Sequence, residues 1–239
     1  MTGVLRRRNP AAKIIAALLV AAGLIPAVDP VTAGAVLAAT ALLLPFAGLD
    51  RRALLTVGLP LVLAAFSVGL VNLLFGESGP MTAFGLAVRL LAIALPGVLV
   101  ALTSDPTETA DALVQRLKVP ERPALGVLAA LRLIPLLAGH WRTLTLARRA
   151  RGLDAGRNPA ALAGQFAGKV FALLVRAIRT GTLLATAMDA RGFGTGPRTH
   201  ARTSRWSGAD TALIAGTALV LVAAHLLSVR LGTWRLLFS

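Results

Sequence analysis

Apolar residues along this chain fall into long runs separated by short polar breaks, not into the alternation of half-buried strands. A membrane-spanning helix needs about 20 mostly apolar residues. Five runs meet or approach that length: Ile14–Val28, Val31–Leu49, Ala53–Phe75, Phe84–Leu102 and Ala209–Val229. The first is short and extends back towards Ala11. The breaks carry turn chemistry at Asp29-Pro30, at Gly48-Leu49-Asp50 and at Gly76-Glu77-Ser78-Gly79-Pro80. The pattern predicts an all-α integral membrane protein of about five transmembrane helices.

Loop charge orients those helices, because Lys and Arg collect on the cytoplasmic side. Arg6, Arg7, Arg8 and Lys13 precede the first run, and Arg51 and Arg52 lie in the second connection. The first and third connections hold only Asp29 and Glu77. The alternation places the N-terminus in the cytoplasm and returns the chain there near Thr103.

The stretch Thr103–Ser207 breaks the rhythm, with 16 basic residues against 6 acidic ones. Its two apolar segments, Pro123–Gly139 and Pro159–Ala187, are long enough to span. If both did, the connection with Arg142, Arg148, Arg149, Arg151 and Arg157 would lie outside, against the positive-inside rule. The second also carries Lys169, Arg176 and Arg179, which are costly in hydrocarbon. Both are therefore expected as long helices at or below the cytoplasmic surface, their basic side chains snorkelling; the rival reading on hydropathy, in which both cross, is a seven-span protein. The chain divides into 1–102 (four spans), 103–207 (the cytoplasmic helices) and 208–239 (the last span and C-terminus).

Composition supports the membrane reading: 56% of residues are hydrophobic and 15% charged. The net charge of +15 would suggest nucleic acid in a soluble protein, but the chain has no Tyr and few aromatics for base stacking. No nucleic-acid partner is expected. The absence of Cys excludes disulfides and thiolate chemistry. His140, His200 and His225 have no ligand spacing. Gly164-Gln165-Phe166-Ala167-Gly168-Lys169-Val170 resembles a phosphate loop, but its glycine spacing is one residue short and no Ser or Thr follows Lys169. The acids lie in loops or near span ends, so a catalytic constellation inside the membrane is not expected. No cofactor is expected on this chain.

The clearest internal echo is short. Arg149-Ala150-Arg151-Gly152-Leu153-Asp154 ends one long helix, and Asp189-Ala190-Arg191-Gly192-Phe193 ends the next. Glycine is the natural helix stop, and a cation there is favoured by the helix dipole. One copy reads as an ordinary cap. Two copies make two stiff rods, each tipped with a planar five-donor guanidinium suited to a partner's groove.

With these motifs the chain resembles the T component of energy-coupling factor (ECF) transporters, the CbiQ/EcfT family. Thr103-Ser104-Asp105-Pro106 with the amphipathic Thr109–Leu117 is similar to that family's entry into its cytoplasmic region, and Leu131-Arg132-Leu133-Ile134-Pro135-Leu136 resembles its first long coupling helix. The resemblance implies a non-catalytic scaffold in a bacterial or archaeal plasma membrane. It implies two ABC-type ATPase partners, identical or homologous, which bind the ATP, and a membrane-embedded subunit that binds a vitamin or transition metal ion. It assigns ATPase docking to Ala150, Arg151, Gly152, Ala190, Arg191 and Gly192, with Arg149, Asp154 and Asp189 in support. Asn72 and Arg89, polar residues within predicted spans, are candidates for contact with the substrate-binding subunit. The competing class is an autonomous channel or secondary transporter, which calls for paired polar groups at mid-membrane and interrupted helices.

Overall fold

The computed structural model describes residues 3–27, 29–76, 79–153, 158–193 and 202–234. Among them the chain is helical without strands. The helices are α1 (Pro10–Leu24), α2 (Pro30–Leu43, continued by the 3-10 turn Leu44–Ala47), α3 (Arg51–Phe75), α4 (Gly79–Thr103), α5 (Pro106–Leu117), α6 (Glu121–Ala150), α7 (Pro159–Ala190) and α8 (Gly208–Arg230). Several starts follow one rule, an Asn or Asp cap before a proline. The Asn9 side chain accepts from Ala11 N–H, Asp29 from Thr32 N–H, Asp105 from Thr107 N–H and Asn158 from Ala160 N–H. The cap oxygen answers an orphan amide, and proline, which has none, fits the first turn.

Two compact units emerge, one from the residues up to Leu117 together with those from Ser204, the other from Lys118–Thr203. In the first unit α1 and α2 hardly touch each other, and each packs against both α4 and α8. The four helices therefore form a ring in the order α1, α4, α2, α8. Val20, Leu24, Ala33, Val36, Ala92, Leu221 and Ala224 meet at its centre. α3 packs outside on α4, and α5 on α1. Small residues set the close approaches: a Cβ on Gly69 of α3 would sit 3.2 Å from the Ala87 methyl of α4.

Buried polar groups pin one end of the ring. Asn9 donates its backbone N–H to Asp210 Oδ1 at 2.9 Å, and its side-chain amide to Ser204 Oγ and the Arg205 carbonyl, both at 2.8 Å. Asp210 also closes a capping box with Ser207. Lys13 is buried and donates to the Thr103 carbonyl at 2.9 Å and hydroxyl at 3.2 Å, and to Ser104 Oγ at 3.1 Å. The starts of α1 and α8 and the end of α4 therefore share one end of the ring. At that end Arg116 and Gln115 of α5 bond the backbone of Ser204. The chain thus leaves this unit and returns to it at the same end.

Six helical segments are long and apolar enough to cross a membrane: Pro30–Ala47, Arg52–Phe75, Gly79–Thr103, Pro123–Ala150, Pro159–Ala190 and Gly208–Arg230. α1, at 15 residues, is shorter. Four of the five expected spans are in this set. The other two members are the helices expected at the cytoplasmic side; all six qualify by length and composition alone.

Candidate functional site: two arginine-tipped helix ends

The second unit is built around α6 and α7, which meet between the last turns of α6 and the first turns of α7. Trp141 of α6 packs edge-on against Phe166 of α7, with ring centroids 5.5 Å apart. Lys169 lies over the Trp141 ring at 4.9 Å and donates to Thr145 Oγ1 at 3.3 Å, a cation answered by a ring face and a hydroxyl. Arg148 donates to the Gln165 carbonyl at 3.0 Å. The Gln165 side chain donates to the Leu153 carbonyl at 2.6 Å, bracing the first Ala-Arg-Gly end against the start of α7.

The phosphate-loop look-alike finds its use here. Gly164–Val170 lies inside α7 as ordinary helix. A Cβ on Gly168 would stand 3.0 Å from Arg148 Nη2, so the missing side chain makes room for that guanidinium. Arg148, Gln165 and Gly168 are the residues that sequence reasoning missed. The signal was a glycine in a helix facing a long basic side chain, which is unreadable until the pairing of the two helices is known.

Both Ala-Arg-Gly ends close alike. At the first, Leu153 N–H bonds the Arg148 carbonyl at 3.0 Å and Gly152 N–H the Arg149 carbonyl at 2.9 Å, with Gly152 at φ +70°. At the second, Phe193 N–H bonds the Met188 carbonyl at 3.0 Å and Gly192 N–H the Asp189 carbonyl at 2.9 Å, with Gly192 at φ +71°. These are Schellman closures, whose left-handed residue favours glycine. The same closure ends α8 at Leu231-Gly232-Thr233, so the cap is a general device. What sets the two ends apart is arginine at the C-cap position. Arg151 (φ −88°, ψ 6°) and Arg191 (φ −91°, ψ 10°) have nearly the same backbone, and both are exposed. Among the described residues neither guanidinium has a hydrogen-bond acceptor.

Ala150, Gly152, Ala190, Gly192, Arg149 and Asp189 are exposed beside them. Asp154, named in support, lies outside the described residues, as do Glu77, Arg157 and His200. The two ends are well separated. Gln165 stands beside the first, and 26 residues of α7 run from it to Arg191, about 40 Å at the helical rise.

Asn72 and Arg89 belong to the other unit, and each has a hydrogen-bond partner within the chain. Asn72 donates to the Val68 carbonyl of its own helix at 2.9 Å. Arg89 of α4 donates to the Ile25 carbonyl just past α1.

The profile of the CbiQ family, described as cobalt transport protein, matches residues 1–201. The chain belongs to the CbiQ/EcfT family. Among its relatives is the energy-coupling factor transporter transmembrane protein EcfT of Exiguobacterium sibiricum, 35% identical over 164 residues, 65% of this chain and 61% of that one. EcfT 1 of Listeria monocytogenes is 32% identical over 174 residues, covering 66% and 65%. EcfT of Bacillus subtilis is 31% identical over 163 residues, covering 64% and 61%. The chain thus spans under two thirds of the length of these curated relatives. This CbiQ/EcfT chain is a multi-pass membrane protein, as its apolar helices require.

Proposed function

We propose that this chain is the coupling subunit of an ATP-driven ECF-type importer. Two ABC-type ATPase subunits dock on it, one at Arg151 and one at Arg191. Their ATP-driven movement travels through α6 and α7 to a membrane-embedded subunit that binds a vitamin or transition metal ion. The chain itself carries out no chemistry, and the partners bind the ATP. It lies in a bacterial or archaeal plasma membrane with its N-terminus and both tips in the cytoplasm.

The observation that carries this reading is the matched pair of exposed arginines on one backbone geometry. Their separation of about 40 Å exceeds the roughly 30 Å diameter of a small domain, so two tips suit two bodies better than one groove. The relatives' names, which describe energy-coupling factor transporters, support the same reading.

Co-purification of the ATPases with the full chain is the test. Arg151→Ala with Arg191→Ala should abolish stable attachment, and Arg→Lys should restore it only in part, since an ammonium lacks the planar fork. Arg157→Ala and Arg202→Ala should change little. Retention of ATPase at wild-type stoichiometry by the folded double variant would reduce both tips to ordinary caps.

A further inference from the structure

The ring of α1, α4, α2 and α8 encloses an open cavity of about 330 Å³ in the half nearest the start of α1. That is the lower range of volumes that hold small ligands. The lining is hydrocarbon apart from Lys13, Thr40 and Thr217. All three are already satisfied. Thr40 donates to the Val36 carbonyl and Thr217 to the Leu213 carbonyl, each at 2.8 Å, and Lys13 is held by Thr103 and Ser104. No lining side chain keeps a polar atom waiting for a solute, which is unlike a site for a vitamin or a metal ion. An apolar void forfeits dispersion contacts that a hydrocarbon filling it would regain.

The mouth has the opposite character. Leu5, in the 3-10 turn Leu5–Arg7, lines the cavity, and its neighbour Arg6 is exposed. Arg6 has no hydrogen-bond acceptor among the described residues. A hydrocarbon slot with an exposed guanidinium one residue from its lining matches the two halves of one molecule already present around a membrane protein.

We propose that this cavity is a lipid site, holding one acyl chain of an anionic phospholipid whose phosphate rests against Arg6. The lipid belongs to the leaflet on the side of the basic N-terminal segment, where juxtamembrane cations attract anionic headgroups. Its chain would complete the packing between α1 and α8, next to the polar ties that join their starts. The proposal stands apart from ATPase docking, since it uses none of the residues at the two tips.

The test is native mass spectrometry of the full chain in mild detergent, with phosphatidylglycerol or phosphatidylethanolamine of identical acyl chains added. Wild type should retain one phosphatidylglycerol in preference to the zwitterionic lipid. Gly216 lines the cavity, and a Cβ there meets nothing within 4 Å, so Gly216→Leu fills the slot without a backbone clash. It should lower retention on the order of ten-fold or more, as excluding even two buried methylenes would. Arg6→Glu should cut the preference for phosphatidylglycerol about five-fold, the effect of one surface cation, and leave phosphatidylethanolamine unchanged. Leu226→Phe, on an exposed position of α8, should change neither. Equal retention of the two lipids by wild type would overturn the proposal. So would wild-type retention by Gly216→Leu with an unaltered melting temperature. If Gly216→Leu fails to fold, Arg6→Glu on the exposed turn decides: an unchanged preference overturns the site.

Discussion

The two units of this protein treat polar groups in opposite ways. In the first, Asn9, Lys13, Thr103 and Asp210 are buried, and each is answered by a partner distant in sequence. In the second, no residue of α7 is buried, and among the described residues of α6 only Ala124 and Leu128 are. α7 exposes Phe166, Phe171, Ile178 and Leu183 and also carries Arg176 and Arg179, which find no acceptor among the described residues. Lipid alone suits the apolar side chains but not the cations. The first unit answers most of its buried polar groups within the chain, whereas among the described residues the second leaves the exposed Arg176 and Arg179 guanidinium groups without an acceptor.

The sharpest way to break this contrast is to cut one tie in the first unit. Asp210→Ala leaves the buried Asn9 N–H and the Ser207 N–H and hydroxyl without an acceptor. Stranding buried donors of a carboxylate costs about 3 kcal/mol, which should appear as a lower melting temperature of the full chain in detergent. Arg176→Ala or Arg179→Ala should move that temperature little, within about 0.5 kcal/mol, as surface changes do. If the α7 variants destabilise the isolated chain as much as Asp210→Ala, the second unit answers those two cations within the chain after all.

A smaller effect separates the helix ends from the helix interiors. Gly152→Ala and Gly192→Ala place a side chain at positive φ, costing about 1–2 kcal/mol each, and they re-aim the neighbouring arginine. Gly164→Ala lies within α7, where a Cβ meets nothing within 4 Å. It should stabilise slightly, by about 0.5–1 kcal/mol, because a helical glycine costs backbone entropy. Melting curves and ATPase co-purification together check this pair. The tip variants should lose on both measures, while the interior variant loses on neither.

The fold was largely legible because length and hydropathy dictate it. Ala53–Phe75 was expected and Arg51–Phe75 is found, and Ala209–Val229 became Gly208–Arg230. The two Ala-Arg-Gly stops were legible because glycine closure is local chemistry. What stayed hidden depends on which helices meet. Asp210 read as an acid near a span end, and nothing local says that it caps α8 while holding Asn9 about 200 positions away. Lys13 read as a tail cation for the cytoplasm, and its burial against Thr103 follows only from α1 packing on α4. Gly168 read as half of a failed phosphate loop because Arg148 was not known to cross it. The end of α6 at Ala150 was legible from its Ala-Arg-Gly stop although the apolar segment finishes at Gly139, since the last turns carry polar and basic residues that hydropathy discounts but helix propensity favours.

The smallest expected effect concerns one carboxylate in the first unit that is not fully answered. Asp29 is buried at the start of α2, where its Oδ2 accepts from Thr32 N–H at 2.7 Å. Its Oδ1 and the Thr32 hydroxyl have no hydrogen-bond partner among the described residues. Asp29→Ala removes the cap and should cost about 1 kcal/mol. Asp29→Asn keeps a capping oxygen and replaces a bare charged atom with an amide that can donate to the Thr32 hydroxyl. Since asparagine caps about as well as aspartate, it should melt within about 0.5 kcal/mol of wild type, on the stabilising side. The two variants therefore separate the cap from the charge. If Asp29→Asn falls as far as Asp29→Ala, the charge itself is needed as well as the cap, and the Thr32 and Ser228 hydroxyls beside Asp29 are what it acts on.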